Sequence, residues 1–449
     1  MSNISPLDNR YKKHVSELND YFSEQALMKF RLYVEVRYLI FLSQHRALKN
    51  IVSLDKKDQK KLEKIYSSFG QKEYNEVKRI EAKTKHDVSA VIQYLSKKVE
   101  KNVSKELVPW VHFGLTSEDI NGAAYSLMIK EAVRSSLLKT LERLSGALKK
   151  LVSQNKDFPM LALTHGQPAT TTTLGKEMAV FHARLSRQTE QLKKHELLAK
   201  FSGATGTLAA HKIAFPKEAW VSFSEKFIKT LGLKNNPITT QIEPNDSLAE
   251  LLQNIIRINN ILTDMSVDIW LYVERNLFIQ KNKSSEVGSS TMPHKTNPIA
   301  FENAEGNLEL ANAGLGFLSS RLCRSRLQRD LSGSTLFRNI GTNFAHSLLA
   351  YKNIIAGLER LRPNKNQADI ELENNWGVLA EAIQTILRKN GDRNAYEKIK
   401  KITRGVGLNK EKYLAVVNDL NISEEDRAVL LCLTPSTYLG EIEKILKEY

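Results

Sequence analysis

The sequence predicts an all-α protein of three mainly helical domains, the central one a bundle of long helices. Three observations carry this. Five stretches place apolar residues at alternating spacings of three and four, the pattern of coiled-coil seams. Neither Pro nor Gly occurs between Asn245 and Lys281. No Gly-x-Gly-x-x-Gly follows a strand-like run, as a dinucleotide-binding α/β fold would need.

Residues 1–115 read as an N-terminal helical domain. Leu27, Phe30, Val34, Tyr38 and Phe41 share one helical face, and Val88, Val91 and Leu95 share another. Residues 116–362 hold the long helices. Their seams run through Leu137, Leu141, Leu144, Leu148 and Leu151, then Leu174, Met178, Phe181 and Leu185. The longest seam passes Leu248, Leu251, Ile255, Ile258, Leu262, Met265, Ile269 and Tyr272. Pro244-Asn245-Asp246 is its start signal, and an unbroken helix to Lys281 would be roughly 50 Å long. Two further seams follow, Leu308 to Leu322 and Phe344 to Leu358. Residues 363–449 form shorter helical units, punctuated by Gly391, Gly405, Gly407 and Pro435. Five such seams fit a monomeric bundle or subunit packing equally well, and periodicity does not separate the two.

Composition narrows the class. The chain has 449 residues, 41% hydrophobic and 26% charged, ordinary for a soluble protein. No apolar run approaches the ~20 residues of a membrane span. The first ten residues lack a signal-peptide core, and two cysteines allow no disulfide framework beyond one pair, so a cytoplasmic setting is expected. The net charge of +16 raises nucleic-acid binding. The lysines are dispersed, apart from Lys56, Lys57, Lys60, Lys61 and Lys64, and aromatics are not interleaved there. A polyanionic small substrate benefits from the same field. No Cys/His spacing suits zinc.

Three motifs carry chemistry. The first is Gly288-Ser289-Ser290-Thr291-Met292-Pro293-His294-Lys295-Thr296-Asn297-Pro298, a loop bent by glycine and proline. Its hydroxyls, its cation and its backbone N–H groups suit proton abstraction beside a carboxylate, with Ser289 or Ser290 as the base. The second is Thr164-His165-Gly166-Gln167-Pro168, a histidine expected in a turn just before a helix, where imidazole can donate a proton near neutral pH. The third is Thr116-Ser117-Glu118-Asp119, read first as a helix cap and also as an anion site.

The eleven-residue loop closely resembles the signature loop of the fumarase/aspartase superfamily, with every fixed position matched. The segments at Thr164–Ala169 and Thr116–Asn121 resemble the superfamily's other two site motifs, in the same chain order. The resemblance implies elimination of fumarate from a succinyl-bearing substrate. It also implies a homotetramer around a core of long helices, with sites shared between subunits.

Further features resemble the longer bacterial branch of the adenylosuccinate lyase family. Arg10-Tyr11 resembles the pair that contacts the nucleotide. Lys85-His86-Asp87-Val88 resembles the element carrying a second active-site histidine, with Lys85 where Asn or Thr is usual. Ser325 to Asn339 resembles the nucleotide-binding run, and Arg329, Ser334 and Arg338 fall within it. Fixed guanidinium groups suit phosphate. The resemblance assigns His165, Ser289, His86 and Lys295 to catalysis. It assigns Arg10, Tyr11, Lys85, Asp87, Thr116, Ser117, Thr164, Gln241, Met292, Asn297, Arg329, Ser334 and Arg338 to substrate binding. It implies no metal and no organic cofactor.

The same motifs admit rival readings. The 3-carboxy-muconate cycloisomerase family also favours Thr-Met-Pro-His-Lys in the loop. Argininosuccinate lyases, another lyase group of the superfamily, usually carry Gln at the place of His294. A basic helical scaffold or nucleic-acid binder is the alternative of a different class.

Overall fold

The computed structural model describes residues 4–45, 48–281, 292, 295–403 and 407–449. It is built almost wholly of helices, as the seams predict. The N-terminal region supplies α1 (Glu24–Ser43), α2 (Lys56–Ser67), α3 (Gln71–Thr84) and α4 (Asp87–Asn102). Next come α5 (Ser117–Ala132) and α6 (Leu138–Asn155), joined through a single π-helical turn, Val133–Leu137. A hairpin follows, β1 (Pro159–Thr164) and β2 (Gln167–Thr173), leading into α7 (Leu174–Lys194). Beyond it lie β3 (Leu198–Ala199), α8 (Trp220–Thr230) and β4 (Lys234–Asn235), with β3 and β4 paired in parallel. The rest includes α9 (Asp246–Glu274), β5 (Phe278–Gln280), α10 (Ile299–Arg321), α11 (Ser332–Phe337), α12 (Ile340–Leu358) and β6 (Leu361–Pro363). Among the described residues five short helices of nine or ten residues follow, α13 (Lys365–Glu373), α14 (Ala380–Lys389), α15 (Ala395–Thr403), α16 (Lys410–Asp419) and α17 (Glu424–Cys432), and then a last helical turn at Ile442–Ile445.

The predicted seams are the buried stripes. The five seam leucines, Leu137, Leu141, Leu144, Leu148 and Leu151, are buried, and so are Leu248 to Ile269 at their seam positions. One expectation needs correction. The longest helix ends at Glu274, not at Lys281. Asn276 adopts φ 57°, a left-handed conformation that terminates a helix, and Phe278–Gln280 then pairs with Leu361–Pro363. The 29 residues of α9 span roughly 43 Å.

The chain folds as two compact units. The first comprises residues 1–141, 188–260 and 306–352. In it α1 packs on α5, and α3 on α4. Tyr38 meets Phe201 and Phe227 at ring-centroid distances of 5.1 and 5.3 Å. A buried polar knot fixes the register of three long helices: Asn259 Nδ2 donates to Asn312 Oδ1 (2.9 Å) and Ser347 Oγ (3.1 Å), and Tyr351 O–H donates to Asn259 Oδ1 (2.7 Å). Such a group is stable only if each partner is in place, so it disfavours slipped pairings.

The second unit comprises residues 142–187, 261–305 and 353–449. Its core gathers Leu161, Trp376, Leu379, Ile383, Tyr413, Val417 and Leu430. The hairpin is anchored there, because Thr171 Oγ1 donates to the Pro435 carbonyl and Arg275 Nη2 donates to the Leu161 carbonyl. No described helix is long and apolar enough to cross a membrane.

Candidate active site

In the first unit, the site residues are placed by helix ends. Thr116 precedes α5, and its N–H donates to Asp119 Oδ2 at 2.8 Å, so the capping expected from the sequence is present. Asp119 is fully buried, and its Oδ1 accepts from Lys200 Nζ (2.7 Å) and from the Ser202 N–H (2.9 Å). Lys200 Nζ also donates to the Gly203 carbonyl. This pair ties the start of α5 to the 200–203 loop and leaves Thr116 and Ser117 half-buried at the helix's positive end.

Glu118 faces the other way. Its Oε1 accepts from Arg329 Nη2 (2.8 Å) and from Asn121 Nδ2 (3.0 Å). Glu118, Asn121, Tyr125, Arg329 and Ser334 line one cleft in this unit. Gln241 lies close to the same segment: Thr240 Oγ1 donates to the Gln328 carbonyl, and Gln241 Nε2 donates to the Ala204 carbonyl at 3.1 Å.

The Lys85-His86-Asp87 run is a helix break. Lys85 ends α3 at φ 55°, the left-handed position usual for such a terminus. His86 caps α4, its Nδ1 accepting from the Ser89 N–H at 3.1 Å, which places the neutral ring's proton on Nε2. Lys85 and His86 are exposed. Asp87 accepts at Oδ2 from Arg31 (2.8 Å) and from Arg338 (3.0 Å). Burial pushes its carboxyl up, but the charge and hydrogen bond of Arg31, the Val88 N–H and Arg338 outweigh that and hold it below the usual range. Arg338 also donates to Glu24 and to the Ser334 carbonyl. Near the N-terminus the Arg10 guanidinium lies 5.7 Å from the centre of the Tyr11 ring.

In the second unit, Thr164 and His165 occupy the exposed tip of the β1–β2 hairpin. Thr164 pairs with Gln167, and His165 and Gly166 have φ 54° and 72°, the two positive values of a primed hairpin turn. The expected turn is there, but a seven-residue strand, not a helix, follows it. Thr170 to Thr173 are β-branched, which favours that strand. Met292 and Lys295 are exposed, the Lys295 N–H donates to the Met292 carbonyl at 3.1 Å, and Asn297 sits half-buried just before α10. Ser289, Ser290 and His294 lie outside the described residues.

Residues 9–310 match the family described as "Lyase", and residues 325–439 match the one described as "Adenylosuccinate lyase C-terminal". The chain is 45% identical to the adenylosuccinate lyase of Legionella pneumophila (strain Corby) over 447 residues, covering 99% of this chain and 98% of that one. The chain belongs to the adenylosuccinate lyase family. The Escherichia coli (strain K12) adenylosuccinate lyase is 44% identical across 99% of this chain and 98% of its own. That of Dictyostelium discoideum is 45% identical across 98% and 96%. A fumarate lyase from Mesorhizobium sp. BNC1 superposes with a TM-score of 0.75 at 18% identity, covering 97% of this chain and 98% of its own. The 3-carboxy-cis,cis-muconate lactonizing enzyme from Pseudomonas putida gives 0.74 at 20%, covering 98% and 97%. These two share the all-α fold.

Within this adenylosuccinate lyase family member, sequence reasoning overlooked Arg31, Asn121 and Lys200. Asn121 lies in the Thr116–Asn121 motif, whose pattern assigns it no role of its own. Arg31 and Lys200 are single basic residues in no local pattern, and only the fold shows them buried.

Proposed function

We propose that this chain eliminates fumarate from adenylosuccinate, giving AMP, and from succinyl-aminoimidazole-carboxamide ribotide, giving the carboxamide ribotide. The observation that carries this is the 44–45% identity to adenylosuccinate lyases along nearly the whole length of both chains. Both substrates join a succinyl-amine to a ribose monophosphate, so one site serves both.

Ser289 is the base in this reading. It takes the proton from the carbon beside a succinyl carboxylate, and the charge moves into that carboxylate. Lys295, Asn297 and loop N–H groups stabilise the anion. The C–N bond then breaks as the C=C bond forms, and His165 delivers a proton to the departing nitrogen. An ordinary serine hydroxyl ionises far above neutral pH, so the base needs a dry site with donors around it. Thr116, Ser117, Thr164 and Gln241 position the succinyl part, and Met292 lines it. Arg10, Tyr11, Lys85, Asp87, Arg329, Ser334 and Arg338 hold the nucleotide, and His86 supports the acid or the phosphate.

The enzyme works as a cytoplasmic homotetramer with sites completed between subunits. Exposed apolar residues on the long helices, among them Val180, Trp270, Leu271, Leu310 and Phe317, support this assembly. So does the exposed placement of His165. A monomeric mass in solution would remove the assembly from the account. His165→Gln tests the acid: it should leave the KM for adenylosuccinate within about threefold while lowering kcat by 100-fold or more. Near-normal turnover would take His165 out of that role.

A further inference from the structure

Two of the three arginines expected to hold the nucleotide, Arg329 and Arg338, are joined by one continuous chain of hydrogen bonds. Arg329 donates to Glu118, which accepts from Asn121. Asn121 Oδ1 accepts from Arg31 Nε at 2.9 Å. Arg31 Nη2 donates to Asp87 Oδ2 at 2.8 Å, and the same oxygen accepts from Arg338. Arg338 closes the run on Glu24. Cations and carboxylates alternate along it, with Asn121 as the one neutral link. Its centre is dry: Arg31 is 2% exposed and Asn121 8%. Its ends are more open, the Arg329 and Arg338 side chains being 29% and 39% exposed.

A buried guanidinium is costly unless its donors are met, so its two partners are fixed in space. Arg31 sits on α1, Asp87 on α4 and Asn121 on α5. It therefore sets the distance between the element that steadies Arg338 and the element that steadies Arg329. Arg338 has three of its five N–H groups engaged, on Glu24, Asp87 and the Ser334 carbonyl, which orients the rest.

We propose that Arg31, buried and bonded to Asn121 and Asp87, is a positioning residue that pre-sets Arg329 and Arg338 for the nucleotide's phosphate through Asn121–Glu118 and Asp87. This rests on the reading that those two arginines bind the nucleotide. A bland reading, in which Arg31 only cements α1 to α4 and α5, predicts lost stability with no selectivity for phosphate.

The test uses the full-length enzyme, with Arg31→Gln, Arg31→Lys, Arg338→Gln and the Arg31→Gln/Arg338→Gln double variant. Steady-state constants for adenylosuccinate are measured beside inhibition by AMP and by adenosine, which lacks the phosphate. Arg31→Gln should raise the KM and the AMP inhibition constant by about tenfold, the worth of one charge-assisted bond, with the adenosine constant and kcat nearly unchanged. The double variant should be worse than Arg338→Gln, but by less than the tenfold of Arg31→Gln alone, because its Arg338 branch is already broken and only the Arg329 branch is left to lose. Arg31→Lys keeps the cation but loses the fork, and should fall between. Equal weakening of AMP and adenosine, or losses that multiply in the double variant, would overturn the proposal. If Arg31→Gln does not fold, Arg31→Lys with Asn121→Ala reads the same AMP-to-adenosine ratio, and an unchanged ratio in both sinks it. A wild-type enzyme inert toward adenylosuccinate would instead refute the functional reading beneath it.

Discussion

Asp119 and Lys200 show what a sequence holds and what it withholds at the scale of a residue. The role of Asp119 as the third residue of a capping box is local, and Thr116-Ser117-Glu118-Asp119 displays it openly. Its pairing with Lys200 is 81 positions away and leaves no mark on either neighbourhood. The pair is fully buried, so removing one member strands the other charge out of water. Lys200→Met should therefore cost about 3–5 kcal/mol, read as a drop in the denaturation midpoint. A loss below about 1 kcal/mol would mean the pair is solvated in the working protein. The same contrast holds at Glu118, whose place in the motif was plain and whose bond to Arg329 was not.

At the scale of elements, the helices were legible because each seam repeats over several turns. The hairpin was not. His165-Gly166 gives a two-residue turn, and the run of threonines behind it lacks the apolar alternation that marks a strand. Both turn residues have positive φ, which glycine tolerates and other residues resist. A Cβ at Gly166 would meet no atom within 4 Å, so Gly166→Ala isolates the backbone term. It should destabilise by about 1 kcal/mol and lower kcat by disturbing the His165 turn. Unchanged stability and turnover would show that the turn geometry is not required.

The short helix Ala209–Ala214 carries the clearest pH signature. His211 is buried, hydrogen-bonded to the Tyr38 hydroxyl at 2.9 Å and set against Phe113 and Trp220. Burial pushes its pKa down from 6.5 to about 4, against an upward pull from Asp119. The unfolded chain takes this proton near pH 6.5 and the folded one only near pH 4. Stability is therefore whole above the window, falls as pH is lowered through it, and levels off beneath it. The drop amounts to about 3 kcal/mol. His211→Gln should flatten the melting temperature across that range relative to the wild type. An identical slope in both would exclude His211 as its source.

At the scale of the molecule, the five seams foretold an all-α fold, and the full-length relatives place it in one family. Periodicity says nothing of how distant stretches gather, and each of the two units draws on three separate stretches. Of the candidate site, Thr116, Ser117, Arg329 and Ser334 were named from sequence, and the fold sets Arg329 and Ser334 at one cleft lined also by Glu118 of the same motif. The link from Arg329 to Arg338 passes through Arg31 and Asn121, to which no sequence pattern gave a role. The chain is proposed to release fumarate with Ser289 as its base. The direct measurement is the ultraviolet change on mixing the purified protein with adenylosuccinate, with AMP and fumarate confirmed by chromatography, for wild type and Ser289→Ala. Conversion by the wild type and a loss on the order of 1000-fold in the variant are expected, the effect of removing a catalytic base. A folded wild type that leaves adenylosuccinate intact, or a variant that converts it at near-normal rate, would contradict that proposal.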